Sequence, residues 1–144
     1  VSAAQIVPGS LAALELKNLS SDEEQKYFCE GVSEDLINAL SRYKSLRVTS
    51  SNASFSFSTG KHSPKEIGSA LSVRYVLSGS VRSTPSRIRI NIKLDNTGTN
   101  QTIWSEKFEA SKDELWDLEE TLASSVAYQI VGQVEADEIL QICK

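Results

Sequence analysis

Apolar and polar residues alternate most regularly in the middle of the chain. Ile88, Ile90, Ile92 and Leu94 fall on one side of a strand, and Arg87, Arg89, Asn91, Lys93 and Asp95 on the other. A looser alternation precedes it, with Val73, Tyr75, Leu77, Gly79 and Val81 set against Arg74, Val76, Ser78, Ser80 and Arg82. Thr84-Pro85-Ser86 turns between the two, and Asn96-Thr97-Gly98 turns into a third segment from Thr102 to Phe108. Period two with a polar outer side predicts antiparallel strands with one face toward solvent.

The flanks carry the helical period. Phe28, Val32, Leu36, Leu40 and Tyr43, widened by Ile37, predict an amphipathic helix of about five turns behind the capping-box pattern Ser21-Asp22-Glu23-Glu24. A second box, Ser63-Pro64-Lys65-Glu66, opens a short helix with Ile67, Ala70 and Leu71. A third, Ser111-Lys112-Asp113-Glu114, opens a long one with Leu115, Leu118, Leu122, Val126 and Ile130 on one side. Leu11 to Lys17 reads as a buried first strand and Leu46 to Thr49 as a second, followed by a Ser-rich loop from Ser50 to Ser63 pinned by Phe55 and Phe57.

The expected fold is therefore α/β, in the order β-α-β-α-β-β-β-α. It has a mixed five-stranded sheet with its helices on the buried face, since βαβ crossovers pair strands in parallel and hairpins do not. Residues 11–132 form the domain, 1–10 read as a linker or vector remnant, and 133–144 as a helical extension toward a following segment. Val1 in place of Met points to a piece of a longer polypeptide.

The 144 residues suit one domain with its own core. At 40% hydrophobic and 24% charged, the chain has a globular composition, neither disordered nor a disulfide scaffold. A net charge of −4 and a pI near 5.1 argue against a general nucleic-acid binder. No apolar run reaches the roughly 18 residues of a membrane span, so no membrane insertion is expected.

Candidate chemistry is sparse. His62 is the only histidine, and with Cys29 and Cys143 far apart no zinc ligand set assembles at usual spacings. Cys29 reads as a small buried apolar residue, and a disulfide to Cys143 has no support. Neither phosphate-cradling glycine pattern occurs. Gly60 and Gly98 suit turns, while Gly31 and Gly68 inside helices suit close packing. Asp22, Glu23 and Glu24 favour a helix N-terminus. Glu30, Glu34 and Asp35, and likewise Glu119 and Glu120, read as solvated faces more readily than as an acid–base pair. The remaining candidate is the stripe Arg82, Arg87, Arg89 and Lys93, on the polar side of adjacent strands. It is either a solvated face or a contact for an anion, an acidic partner or nucleic acid. No aromatic residue interleaves with it, against single-strand binding.

Ordered blocks then resemble the TolB amino-terminal-like domain family from about Leu11 to Gly132. They are Asn18-Leu19-Ser20, Tyr27-Phe28, Gly31, Glu34-Asp35-Leu36-Ile37, Leu40-Ser41, Leu46-Arg47-Val48 and Ser54-Phe55. Then come Val73-Arg74-Tyr75-Val76-Leu77, Gly79-Ser80-Val81-Arg82, Arg87-Ile88-Arg89-Ile90, Leu94-Asp95, Thr97-Gly98 and Trp104. The chain departs from the family where its first strand ends, with Glu15-Leu16 in place of a Pro-Phe pair. The resemblance implies an anticodon-binding-like α/β fold with no catalytic residues and no cofactor. Its relatives are joined to class III adenylate cyclases and winged-helix transcription regulators of bacteria, often followed by tetratricopeptide repeats. A cyclase's metal-binding aspartates have no counterpart here.

The expected role is a non-catalytic regulatory, sensory or protein-interaction module of a bacterial signalling protein. Its expected partners are a protein or neighbouring domains of the same chain, with homodimerisation through a sheet edge a weaker option. One alternative is a small-ligand receptor with its pocket between the Ser50–Ser63 loop and the parallel strand ends. Another is an unrecognised enzyme using Glu34, Asp35 or His62. The sequence leaves the side of the membrane open.

Overall fold

The computed structural model describes residues 7–20, 23–57 and 62–142. The strands are β1 (Ser10–Ala13), β2 (Lys17–Asn18), β3 (Arg47–Val48), β4 (Tyr75–Ser83), β5 (Arg87–Asn96) and β6 (Gln101–Ser111). The helices are α1 (Glu23–Leu40), α2 (Ser51–Phe55), α3 (Pro64–Leu71) and α4 (Leu115–Ile142). All six strands join one mixed sheet in the order β3-β1-β4-β5-β6, with β2 also on β4. Pairing is parallel among β1, β2, β3 and β4 and antiparallel from β4 through β6.

The sheet thus has six strands where the sequence predicts five, and the physical reason is one surplus residue. Ala13 stands beside Leu77 and Lys17 beside Ser80, so Leu14, Glu15 and Leu16 oppose only Ser78 and Gly79. Such a bulge flips the alternation. Leu14 and Leu16 consequently pack on opposite faces of the sheet, one against the α3 cluster and one in the main core. The expected single strand from Leu11 to Lys17 becomes β1 and β2. The bulge falls on Glu15-Leu16, where the chain departs from the TolB-like pattern.

The main core lies between one face of the sheet and α1 with α4. Ile88, Ile90, Ile92 and Leu94 are at most 1% exposed and pack with Phe28, Val32, Leu36 and Leu40 of α1 and Leu122, Val126 and Ile130 of α4. The helices do not all lie there, however. Ile67 of α3 packs with Ala12, Val73 and Val76 on the opposite face, since Ala12 and Val76 alternate with Leu11, Ala13, Tyr75 and Leu77, and Val73 precedes β4. Gly68 permits that approach, since a Cβ there would collide with the Thr97 side chain. α3 therefore covers only the β1 end of this second face.

Local signals are realised unevenly. The box at Ser63 forms in full, Glu66 N donating to Ser63 Oγ (3.2 Å) and Ser63 N to Glu66 Oε1 (3.3 Å). The box at Ser111 does not. Its hydroxyl donates to Glu114 Oε1 (2.8 Å), and a 3-10 turn, Lys112–Glu114, precedes α4. Ser21 and Asp22 lie outside the described residues. The Ser-rich loop contains α2, capped by Ser50, whose Oγ accepts from Ala53 N (3.4 Å). α1 stops at Leu40, and Tyr43 sits in the turn beyond it.

α4 continues without a break through residues 133–142, with Val134 buried. Its far end is latched to the sheet. The Tyr75 hydroxyl donates to Asp137 Oδ2 (2.6 Å) and lies 3.1 Å from Glu138 Oε1. Asn96 Nδ2 donates to the same Asp137 oxygen (3.0 Å), while Arg74 Nη1 (2.9 Å) and Gly9 N (3.0 Å) donate to Glu138. Burial, then the two carboxylates, push the Tyr75 hydroxyl far above its ordinary pKa, so it stays a donor. Tyr75→Phe should cost about 2 kcal/mol of stability, as expected for a hydrogen bond to a charged group, read from urea unfolding.

Where α1 and α4 meet, Gly31 leaves room for Glu119, whose Oε1 would lie 2.5 Å from a Cβ at that position. Burial, and after it Asp35, raise the Glu119 carboxyl above its ordinary pKa. Its proton is held to higher pH in the folded chain than in the unfolded one. The associated stability is present in acid and lost as pH rises through the raised value. Glu119→Gln should therefore gain on the parent as pH rises above the ordinary carboxylate range, measured as the difference in denaturant midpoint.

Candidate functional site on the open face of the sheet

The strand register sorts the polar side chains of the uncovered face into rows. Partners across a sheet share a face, and Ile88 to Leu94 set which face is buried. Val76, Asp95 and Thr102 form one row, and Ser78, Lys93 and Ser105 the next. Lys17, Ser80, Asn91 and Lys107 form a row spanning four strands, followed by Arg82, Arg89 and Glu109.

A groove of about 590 Å³ runs over these rows. Its centre is Ser78, Ser80 and Asn91, its cations are Lys17, Lys93 and Lys107, and Leu14, Phe57, His62 and Pro64 wall the side nearest β1. His62 is exposed at the rim. Its ring meets Phe57 edge-on at 5.3 Å, and its Nδ1 lies 3.6 Å from Glu66 Oε2. Three carboxylates also border the groove. Asp95 is 3% exposed; its Oδ1 accepts from Thr102 Oγ1 (2.6 Å) and its Oδ2 lies 3.8 Å from Lys93 Nζ. Glu106 pairs with Ile92 and so leaves the strand on the helix side. Glu15 stands at the bulge, where burial first and then Glu30 raise its carboxyl pKa.

The cationic stripe named from sequence lies on this face, and most of its charge is engaged. Glu109 holds both Arg89 Nε (2.8 Å) and Arg87 Nη2 (3.8 Å). Arg82 stands opposite Arg89, a like-charge pair eased by that carboxylate, and has no ion pair among the described residues. Only Lys93 of the four lines the groove. Lys17 and Lys107 escape sequence reasoning, because they converge only through the bulge and the β5–β6 register, whereas Phe57 belongs to the loop against which a pocket is expected.

The groups considered for acid–base chemistry do not come together. Glu34 and Asp35 are on α1, against the other face, whereas His62 borders the groove. Among the described residues no group of three or more His, Cys, Asp or Glu could hold a metal ion. Cys29 is buried, and desolvation pushes its thiol up to about 12. Cys143 lies outside the described residues.

The surface pairs at Glu109 are half-exposed and should contribute little to stability. Glu109→Gln should shift unfolding by less than about 1 kcal/mol while freeing Arg87 and Arg89. The variant should then elute from heparin at higher salt than Glu106→Gln, which makes the same change in net charge.

Comparisons with known proteins extend this picture. The family model of the HilA/YgeH-like transcriptional regulator, second domain, matches residues 18–125. A Rhizobium meliloti (strain 1021) protein named as an adenylate cyclase is 32% identical over 129 residues, 90% of this chain. The chain spans 22% of that relative's length. Lipoprotein GNA1162 from Neisseria meningitidis is similar in structure, with a TM-score of 0.60 at 14% identity over 87% of this chain and 99% of that one. TolB from Acinetobacter baumannii gives 0.54 at 11% identity, over 88% of this chain and 29% of that one. At such identities the structural likeness is one of fold.

Proposed function

We propose, from the premise that the chain belongs to the family of HilA/YgeH-like transcriptional regulator second domains, that it is a non-catalytic accessory domain of a bacterial signalling protein. It works by contact, at the open face of the sheet. An output domain elsewhere in the same polypeptide, a cyclase or a DNA-binding regulator, carries the activity. The TolB-like blocks in the sequence and the adenylate cyclase relative both support that context.

The observation that carries the reading is the contrast between the two faces. On the helix side, Tyr75, Arg74, Asp137 and Glu138 are spent on structure, in the latch at the end of α4. On the other face, cations, an amide and hydroxyls border a groove among the described residues. A second reading, a small-ligand receptor, is favoured by the groove's position beside Phe57 and His62.

The test has two parts. The 144-residue chain given ATP and magnesium should form no cyclic nucleotide. In the full-length polypeptide, Lys107→Glu should change the regulated output about threefold or more, equivalent to about 0.7 kcal/mol of coupling. Cyclic-nucleotide formation by the chain alone, or full-length output identical to the parent in the variant, would defeat the proposal.

A further inference from the structure

We infer that the groove is a binding site for a small amphipathic organic anion. Its planar, apolar end rests on Leu14, Phe57 and Pro64, and its anionic group lies across the Lys17–Ser80–Asn91–Lys107 row beside Lys93. The inference rests on the ligand-receptor reading of the previous subsection and adds the class of ligand.

Three observations carry it. The first is the spacing of charge. The row crosses four adjacent strands, and neighbouring strands lie about 4.8 Å apart, so its end residues are about 14 Å apart at the backbone. Lysine stems of about 6 Å can reach inward over Ser80 and Asn91 from both ends, to one anion between them. Neither Lys17 nor Lys107 has an ion pair among the described residues.

The second is the state of the bordering carboxylates. Asp95 already accepts from Thr102 and faces Lys93, Glu106 projects from the helix side, and Glu15 lies in the field of Lys26, Glu30 and Glu34 on α1. None supplies a counter-charge over the centre of the row. There Ser80 and Asn91 offer a hydroxyl and an amide, donors that suit phosphate or carboxylate oxygens.

The third is the asymmetry of the walls. Leu14, Phe57, Pro64 and Val76 gather on the β1 side, whereas the β6 side presents Ser105 and Lys107. A concavity of about 590 Å³ with an apolar wall and a few convergent polar groups has the form of a small-molecule site. A bare inorganic anion would leave the apolar wall wet. A neutral ring would leave the lysines unmatched.

Titration calorimetry on the 144-residue chain, with backbone amide shifts to locate the site, tests this with four probes: phenyl phosphate, 3-phenylpropionate, inorganic phosphate and phenol. At least one aryl anion should bind saturably, about tenfold tighter than inorganic phosphate, from burying the ring, and about tenfold tighter than phenol, from the anionic group. Which aryl anion binds better separates a phosphate from a carboxylate ligand. Lys107→Ala and Lys17→Ala should each weaken that binding about fivefold. Phe57→Ala should weaken the aryl anion and leave inorganic phosphate unchanged. Thermal unfolding checks that each variant is folded, and Lys65→Ala, outside the groove, should bind as the parent does.

No saturable binding by either aryl anion overturns the inference, as do shifts confined to Arg82, Arg87 and Arg89. Altered full-length output in Lys107→Glu without aryl-anion binding would overturn it too, leaving the accessory-domain reading in place.

Discussion

The structure depends on the dry interface between β5 and the two long helices. Ile88, Ile90, Ile92 and Leu94 lose essentially all their exposure against α1 and α4. Each such burial is worth about 2 kcal/mol. Because a strand's side chains alternate, committing these four residues to one face commits Arg87, Arg89, Asn91 and Lys93 to the other. The polar face is thus a consequence of the core, and its rows inherit their register from it. Whatever the domain contacts there is met by side chains whose spacing the backbone sets.

The bulge at Glu15 modifies this plan at one place. It lets a short run of chain supply Leu14 to the α3 cluster and Leu16 to the main core, and it returns Lys17 to the groove side. Leu16 N is satisfied by Ser33 Oγ (2.8 Å), whose own hydroxyl donates to the Cys29 carbonyl (2.5 Å). α1 thereby caps the irregular edge that the extra residue creates. A bulge that re-aims one side chain toward a concavity is a common device near binding sites. Here the re-aimed side chain is a lysine.

Legibility follows the range of the interactions involved. β5, the core sides of α1 and α4, and the Ser63 capping box depend on residues within a few positions of one another, so they can be read from local pattern. The α/β class and the TolB-like resemblance follow from the order of these elements. The sixth strand, α2 and the second face covered by α3 depend on contacts between distant segments. Leu14 to Leu16 look like the continuation of one strand until Ser78 and Gly79 stand beside them. The site divides the same way. Arg82, Arg87, Arg89 and Lys93 are legible as one side of two strands, but Glu109 reaches them from a third. Lys17 and Lys107 join the groove through pairings that no local pattern displays. Ile103 is a further surplus residue, opposite the Leu94–Asp95 step, and it sets which β6 side chains face the groove.

The same strand serves both the groove and the latch. β4 offers Ser78 and Ser80 to the open face and Tyr75 to Asp137 and Glu138 at the far end of α4. Asn96, at the end of β5, holds Asp137 as well. On the proposed reading, occupation of the groove and the seating of α4 draw on one pair of strands, a few residues apart. Energetic coupling between two places needs an element with two arrangements that both can bias. The far end of α4 is suited to that role, because it is held by polar groups that water can replace, while Leu122, Val126 and Ile130 stay in the dry core. Loosening the latch would move residues beyond Val134 and leave the sheet intact. A contact on one face of the domain would then reach the far end of α4 without requiring the core to rearrange.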